Sequence, residues 1–196
     1  PGADAKMDLR REHRGAFTLI ELLVVITIIA ILMGLLFPAF KGVQDQAKRT
    51  QAKNDVTQIV TAINAFYTEY GKYPLATDDT PISDNAALMN ELRGLASQTQ
   101  NPKLIVFFSP PDSKDPTKPR SGVGADGKDY DPWGLPYFVA IDGDYDNLIT
   151  PNPYSSNAGS SPLHSGAIAW SLGKDGQGGM GDKNAGVADD DVISWQ

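Results

Sequence analysis

The chain has 196 residues, 41% of them hydrophobic, no cysteine and a formal net charge of −7. That length suits one membrane segment plus one modest globular domain. The lack of cysteine excludes disulfides, thiolate zinc sites and a cysteine nucleophile, and an acidic body argues against general nucleic-acid binding, which needs a basic face.

The first 16 residues carry Lys6, Arg10, Arg11 and Arg14 against three acidic residues, so the charge of the remainder is −8. Met7 is a candidate start, which would place residues 1–6 upstream of it. An apolar run then extends from Phe17 to Phe40. Its core of about 21 residues spans a bilayer at about 1.5 Å per residue. A single carboxylate, Glu21, interrupts the run. A charge at mid-helix in a bilayer costs about 2.5–3.5 kcal/mol on translocon scales, so Glu21 is expected to have a partner.

Three other readings compete for this segment. A secretory signal peptide has a shorter apolar core and a small-residue cut site after it. A buried core helix is opposed by the length of the run and by the basic leader. A plain signal anchor fits the length but leaves Glu21 unexplained. Basic residues flank the run on both sides, with Lys41, Lys48, Arg49 and Lys53 following it, so the positive-inside rule sets no orientation. Gly34 and Pro38 weaken the helix near its exit; alone, Pro38 reads as an ordinary kink.

Beyond Pro38 the helix is expected to continue. Val56, Ile59, Val60, Ile63, Phe66, Tyr67 and Tyr70 recur at spacings of three and four and form one apolar stripe. Asn54, Asp55, Gln58, Asn64 and Glu69 are placed on the opposite face. Gly71 followed by Pro74 is a stop signal, and Phe17 to Tyr70 would make roughly 80 Å of helix. A second helix is expected over residues 84–96, capped by Ser83 or Asp84. Residues 104–108 read as a short buried strand or turn. Residues 109–129, rich in Pro, Gly, Lys and Asp, read as an exposed loop. Strands are expected at 138–141, 167–172 and 192–195. Together these elements predict an α+β fold, with a long N-terminal helix packed on a small antiparallel sheet.

Two acidic segments are candidate metal sites. In the C-terminal one, Asp175 is separated by a glycine-rich span from Asp189-Asp190-Asp191. Carboxylates and inward-turned carbonyls are what calcium needs, about six to eight oxygens in flexible geometry; a solvated acidic turn is the alternative. The other, Asp142-Gly-Asp144-Tyr-Asp146-Asn147, starts like an EF-hand loop, but Asn147 replaces the turn glycine and Pro153 falls where the bidentate Glu belongs. A hairpin turn is the expectation there. Catalytic signatures are missing: there is no G-x-S-x-G, H-E-x-x-H or Walker-type loop, and His164 is the one histidine beyond residue 16. The chain therefore reads as a non-enzyme.

Gly15-Ala16-Phe17-Thr18-Leu19-Ile20-Glu21-Leu22-Leu23 resembles the processing motif of the type IV pilin and pseudopilin superfamily. The resemblance implies that a prepilin peptidase cuts between Ala16 and Phe17 and that the new amine of Phe17 is N-methylated. It divides the chain into a cytoplasmic leader (1–16), a transmembrane and assembly helix (17–40) and a periplasmic domain (41–196). The family usually has Gly before the cut; this chain has Ala16, with Gly15 one residue earlier. Pro38 falls 21 residues beyond Phe17, where the family often has a proline. The cut would expose an amine one helical turn from Glu21. Pairing of that amine with Glu21, within a subunit or between neighbours, would neutralise the carboxylate and set axial register.

Asp131-Pro-Trp-Gly, Ser171-Leu-Gly-Lys-Asp175-Gly and Asp190-Asp-Val-Ile before Trp195 are similar to the major (G-type) pseudopilin of type II secretion. In that family the C-terminal loop binds calcium. The carry-over implies Asp175, Asp190, Asp191 and the Leu172 carbonyl as ligands, with Asp189 and Asp182 as weaker candidates. It also implies a structural subunit that polymerises in the bacterial inner membrane, with prepilin peptidase, minor pseudopilins, a platform protein and a secretion ATPase as partners. Two alternatives stand beside it. One is a type IV pilus subunit for adhesion or DNA uptake, against which the absent cysteines weigh. The other is a membrane-anchored binding protein that does not polymerise. The resemblance covers 14–74 and 131–195, and the 109–129 loop is longer than the family's usual one.

Overall fold

The computed structural model describes residues 17–75, 77–95, 100–154, 157–178, 182–183 and 186–196. The leader, with Gly15 and Ala16, lies outside them. The elements in chain order are α1 (Leu19–Tyr70), α2 (Ala86–Leu92), β1 (Gly122–Val123), β2 (Asp129–Tyr130), β3 (Phe138–Ile141), β4 (Ala167–Ser171), a 3-10 turn (Gly186–Ala188) and β5 (Val192–Ile193). The chain divides into two compact units, the first ending at Gln44 and the second comprising Asp45–Gln196; α1 contributes to both.

In the first unit α1 is helical through Gly34 and Pro38. Its large apolar side chains are exposed on every side, Leu19, Ile20, Leu23, Val25, Ile28, Leu32 and Leu36 among them. A helix that is apolar all round suits lipid rather than a core face, and this one is long and apolar enough to cross a membrane. Thr27, the other polar residue in mid-run, returns its hydroxyl to the Leu23 carbonyl at 2.7 Å.

In the second unit the expected stripe packs on the sheet, with changes in membership. Ala52, Val56, Ile59, Ala62, Ile63 and Phe66 are buried, and Val60 and Tyr70 pack partly against them. Tyr67 stands off the stripe and stacks on Tyr73 instead, ring centroids 4.5 Å apart. Asp55 is not on a solvated face: it is half-buried and accepts the Tyr137 hydroxyl at 2.9 Å.

The sheet has the order β3-β4-β5, antiparallel throughout, pairing Val139 with Ala169 and Trp170 with Ile193. Side chains alternate along each strand. Val139, Ile141, Ala167, Ala169 and Val192 join the helix stripe in one core. Ala140, Ile168, Trp170 and Ile193 face the other way, into a second core closed by Ile149, Tyr154, Ala158 and Leu163. The sheet is thus covered on both faces. β5 is shorter than expected, but pairing persists past it through Ser194 N–H to Ala169 O at 3.0 Å.

Several expectations are corrected. α2 is shorter than 84–96, and its capping residue is Asn85, whose side chain makes no cap bond. That side chain instead donates to the carbonyls of Asp129 and Tyr137, at 3.1 and 2.9 Å, and accepts the Asp129 N–H. Of the strand or turn expected at residues 104–108 the strand is absent: a turn closes from Leu104 N–H to Asn101 O, Leu104 and Val106 are 46% and 60% exposed, and Phe107 and Phe108 turn inward, both donating to the Leu92 carbonyl. The 109–129 segment holds β1 and the start of the β1–β2 hairpin, with Val123 N–H bonded to Pro111 O at 2.9 Å. The expected hairpin turn at 142–147 is the start of a longer connection, 142–166, that closes the second core.

Carboxylates lie within this packing. Asp129 and Asp131 are buried. Burial first, and the neighbouring Asp55 second, push Asp129 up to about 7. Burial also raises Asp55 and Asp131.

Candidate functional site

At the head of α1, Thr18 and Glu21 form a capping box. The Thr18 N–H and hydroxyl both donate to Glu21 Oε2, at 2.8 and 2.7 Å, and the Glu21 N–H donates to Thr18 Oγ1 at 3.3 Å. The carboxylate therefore has two donors before any further partner arrives. Phe17 is 82% exposed just ahead of it. Thr18 was not among the expected site residues, although its Thr-x-x-Glu spacing is the signal of a helix start. Pro38, the other residue expected to matter for assembly, lies within α1.

At the C-terminal end, three of the expected ligands converge. Asp175, Asp190 and Asp191 each offer a carboxylate oxygen, all within 4.8 Å of one another. Asp175 lies on the turn after β4, and the other two lie between the 3-10 turn and β5. Asp190 Oδ2 accepts the backbone N–H of Lys174 and, at 3.0 Å, that of Asp175. Asp191, 3% exposed, accepts the Tyr154 hydroxyl at 2.5 Å; burial and that bond push the phenol up. Leu172, whose carbonyl was expected to ligate, is on the same turn, its side chain against the second core. Asp189 and Asp182 are not in the cluster: Asp189 lends its carbonyl to Arg49 at 3.4 Å, and Asp182 accepts from Asn157 at 2.5 Å.

The turn is held from below by Asp131 of the Asp131-Pro-Trp-Gly segment. Its Oδ1 accepts the N–H groups of Trp133, Gly134 and Leu135 at 2.9, 2.7 and 2.9 Å. Its Oδ2 takes the Ser171 hydroxyl at 2.6 Å, and Ser171 Oγ in turn accepts Gly173 N–H at 3.0 Å. Gly173 has φ +65, and a Cβ there would lie 2.5 Å from Asp190 O, so this position needs glycine on both counts. The turn is also tied to α1. Lys174 pairs with Asp45 at 2.9 Å, Arg49 reaches Asp189 O, and Lys53 donates to Ile193 O at 2.8 Å.

Chemically, the cluster is an all-oxygen donor set, in which backbone N–H groups donate to Asp190 and a phenol donates to Asp191. Hard divalent cations take such donors, and a calcium-sized ion tolerates their irregular arrangement. The residues present therefore fit calcium. Nothing comparable supports catalysis: His164 is exposed, and the described carboxylate clusters sit in turns.

The prokaryotic N-terminal methylation motif matches residues 11–37. The chain is 28% identical to the type II secretion system core protein G of Pseudomonas aeruginosa over 188 residues, 95% of this chain and 99% of that one. It is 22% identical to the core protein G of Aeromonas hydrophila over 187 residues, 95% and 96% of the two chains. It is 30% identical to the prepilin peptidase-dependent protein A of Clostridium perfringens over 113 residues, 58% of this chain and 76% of that one. No solved structure matches the chain. With a methylation motif at the head of an apolar helix, an α+β domain behind it and relatives of this kind along its length, the chain belongs to the type IV pilin and pseudopilin superfamily, on the side of the G-type pseudopilins.

Proposed function

We propose that the chain is the major structural subunit of a type II secretion pseudopilus, polymerising through α1 to help export folded proteins. The observation that carries this reading is the end-to-end likeness to core protein G, which takes in the globular domain as well as the shared N-terminal motif. Members of the superfamily are structural subunits, and this one is not an enzyme. Prepilin peptidase removes residues 1–16, cutting after Ala16, and the Phe17 amine is methylated. The amine then pairs with Glu21, taking over the carboxylate that Thr18 holds in the isolated chain. α1 stays in the inner membrane until the platform protein and secretion ATPase extract it, with minor pseudopilins as neighbours and the 41–196 domain in the periplasm. Asp175, Asp190 and Asp191, with the Leu172 carbonyl, hold a structural calcium ion that offsets their mutual repulsion.

Mass spectrometry of the mature N-terminus tests the processing steps. The expected result is a chain beginning at a methylated Phe17; a retained leader overturns the reading. Glu21→Leu should insert normally yet form no filament. Deleting the chain should stop export of folded proteins. Loss of surface pili with export intact would favour a type IV pilus subunit instead.

A further inference from the structure

A basic loop over residues 113–121 precedes β1. Lys114, Lys118 and Arg120 are exposed in it. Among the described residues none of the three forms an ion pair, whereas Arg93, Lys103, Lys128 and Lys174 all do. The carboxylate of the loop, Asp115, is turned onto the loop itself. Its Oδ1 accepts the Thr117 N–H, the Thr117 hydroxyl and the Lys118 N–H at 2.9, 2.7 and 3.2 Å. Ser113 ties the ends together: its N–H donates to Val123 O at 2.8 Å, and its Oγ accepts the Arg120 N–H at 2.9 Å. Pro116 and Pro119 fix two further φ angles. The loop is thus held in one shape with its cations in solvent. Between it and Gln51 of α1 lies a recess of about 650 Å³, lined by Lys114, Lys118 and Arg120 among others; Asp112, in the same lining, is already paired with Arg93.

The complement of this recess is an acidic turn of the same chain. Asp144, Tyr145, Asp146 and Asn147 are all exposed. Asp78, also exposed, abuts them: its nitrogen lies 2.3 Å from where a Cβ on Gly143 would fall. Asp78, Asp144 and Asp146 accept backbone N–H groups, and no Lys or Arg among the described residues pairs with them. Recess and turn stand at different levels along α1. Tyr145 stacks on Tyr73 with ring centroids 5.6 Å apart, accepts the Tyr73 N–H at 3.0 Å, and lies 6.4 Å from the Tyr67 ring. Gln51, at the recess, comes sixteen residues before Tyr67 on the same helix, a distance of about 24 Å along its axis.

We infer that the basic recess beside Gln51 receives the Asp144–Asp146 turn of a second copy of this chain, displaced along the helix axis. The inference rests on the polymerising reading above and adds to it a contact between globular domains. Complementary patches at two separate places on one surface make a head-to-tail contact, which repeats without closing and builds a filament rather than a dimer. Subunits drawn from one membrane are parallel, so a displacement of about 24 Å brings the recess of one to the level of the turn of another. The chain as a whole carries −7, so copies repel at most other faces, and a local cationic recess selects one register among them. The other acidic segment, at Asp175, Asp190 and Asp191, is the poorer partner, because the calcium ion proposed there offsets its charge.

The chain has no cysteine, so a Lys118→Cys/Asp144→Cys variant tests the contact by oxidative cross-linking of filaments assembled in the native bacterium. The expected result is a ladder of dimers and higher multimers, absent from either single variant and absent when Glu21→Leu is added. Lys114→Glu/Lys118→Glu should lower filament yield at least fivefold, and so should Asp144→Lys/Asp146→Lys. Combining the two exchanges should restore the yield to within twofold of wild type. All four side chains are exposed, so each variant should melt like wild type. Wild-type filament yield from both reversed variants, with no ladder from the cysteine pair, overturns the inference and leaves the polymerising reading intact. A loss of filaments that the combined exchange does not rescue also overturns it. So does a ladder from Lys118→Cys/Asp189→Cys in place of Lys118→Cys/Asp144→Cys, which gives the recess to the C-terminal loop. Absence of filaments from wild type removes the polymerising reading and this contact with it.

Discussion

Replacing Asp129 by Asn should make the domain more stable at pH 8 and flatten its response to pH. Asp129 is buried beside Asp55, with its backbone pinned by Asn85. Burial, then Asp55, raise its folded pKa from 3.8 to about 7. The folded chain therefore holds this proton more tightly than the unfolded chain does. Its contribution to stability is fully present below pH 3.8 and is lost as pH rises through about 7. The span is about three pKa units at about 1.4 kcal/mol each, so at most about 4 kcal/mol. Asn keeps the shape and stays neutral. For a unit of this size, about 4 kcal/mol corresponds to roughly 10 °C in the unfolding midpoint. The assay is near-UV circular dichroism of the full chain in detergent, melted from pH 4 to pH 8 with chelator present, so that metal linkage is removed. Asp55, Asp131 and Asp142 are also raised by burial and should leave a residual slope of the same sign, so the reading is the difference between variant and wild type. Parallel curves for the two proteins would refute the reasoning.

Other predictions concern the turn that carries the metal ligands. Asp131→Ala removes the acceptor for three backbone N–H groups and the Ser171 hydroxyl in a buried position; it should cost about 3–5 kcal/mol, seen as a lowered melting midpoint, while Asp131→Asn, which keeps one oxygen, should cost less. Equal effects of the two would remove Asp131 from that role. Calcium at about 100 times its dissociation constant should add about 2.7 kcal/mol to stability per site, and Asp190→Asn should reduce the calcium-induced rise in midpoint relative to wild type. An unchanged rise would mean the ion binds elsewhere.

What could be read in advance was mostly local. The apolar run, the stripe on α1 and strands β3 and β4 follow from spacing and side-chain type, because each is one chain segment with one period. The acidic C-terminal loop stands out by its charge density, but the choice of Asp175, Asp190 and Asp191 over Asp189 came from the family resemblance. The rest depends on groups far apart in sequence. Asn85 sits where a helix cap belongs, yet its amide is drawn to carbonyls more than forty positions later, which no local rule anticipates. The β1–β2 hairpin lies in a Pro- and Gly-rich stretch and is only two residues deep, too short for alternation to register. Asp55 looked solvated from its helical position, and only Tyr137 reveals it as part of the interior. Thr18 is different: the Thr-x-x-Glu spacing of its capping box is local and legible in the sequence.

The three ties from α1 to the C-terminal segment follow a regular pattern. Asp45, Arg49 and Lys53 lie four residues apart, which stacks them on successive turns of one helix face. Their partners are Lys174, the Asp189 carbonyl and the Ile193 carbonyl, one before Asp175 and the others on either side of Asp190 and Asp191. The helix thus grips the chain at both arms of the ligand cluster without using the carboxylates themselves. That division matters electrostatically. If these α1 cations paired directly with the carboxylates, a divalent ion would have to displace them, and affinity would fall by the strength of the pairs lost. Because Arg49 and Lys53 bind carbonyls and Lys174 binds Asp45, these three cations hold the two arms together without engaging the ligands themselves. The same face of α1 therefore positions the two arms that carry the metal ligands.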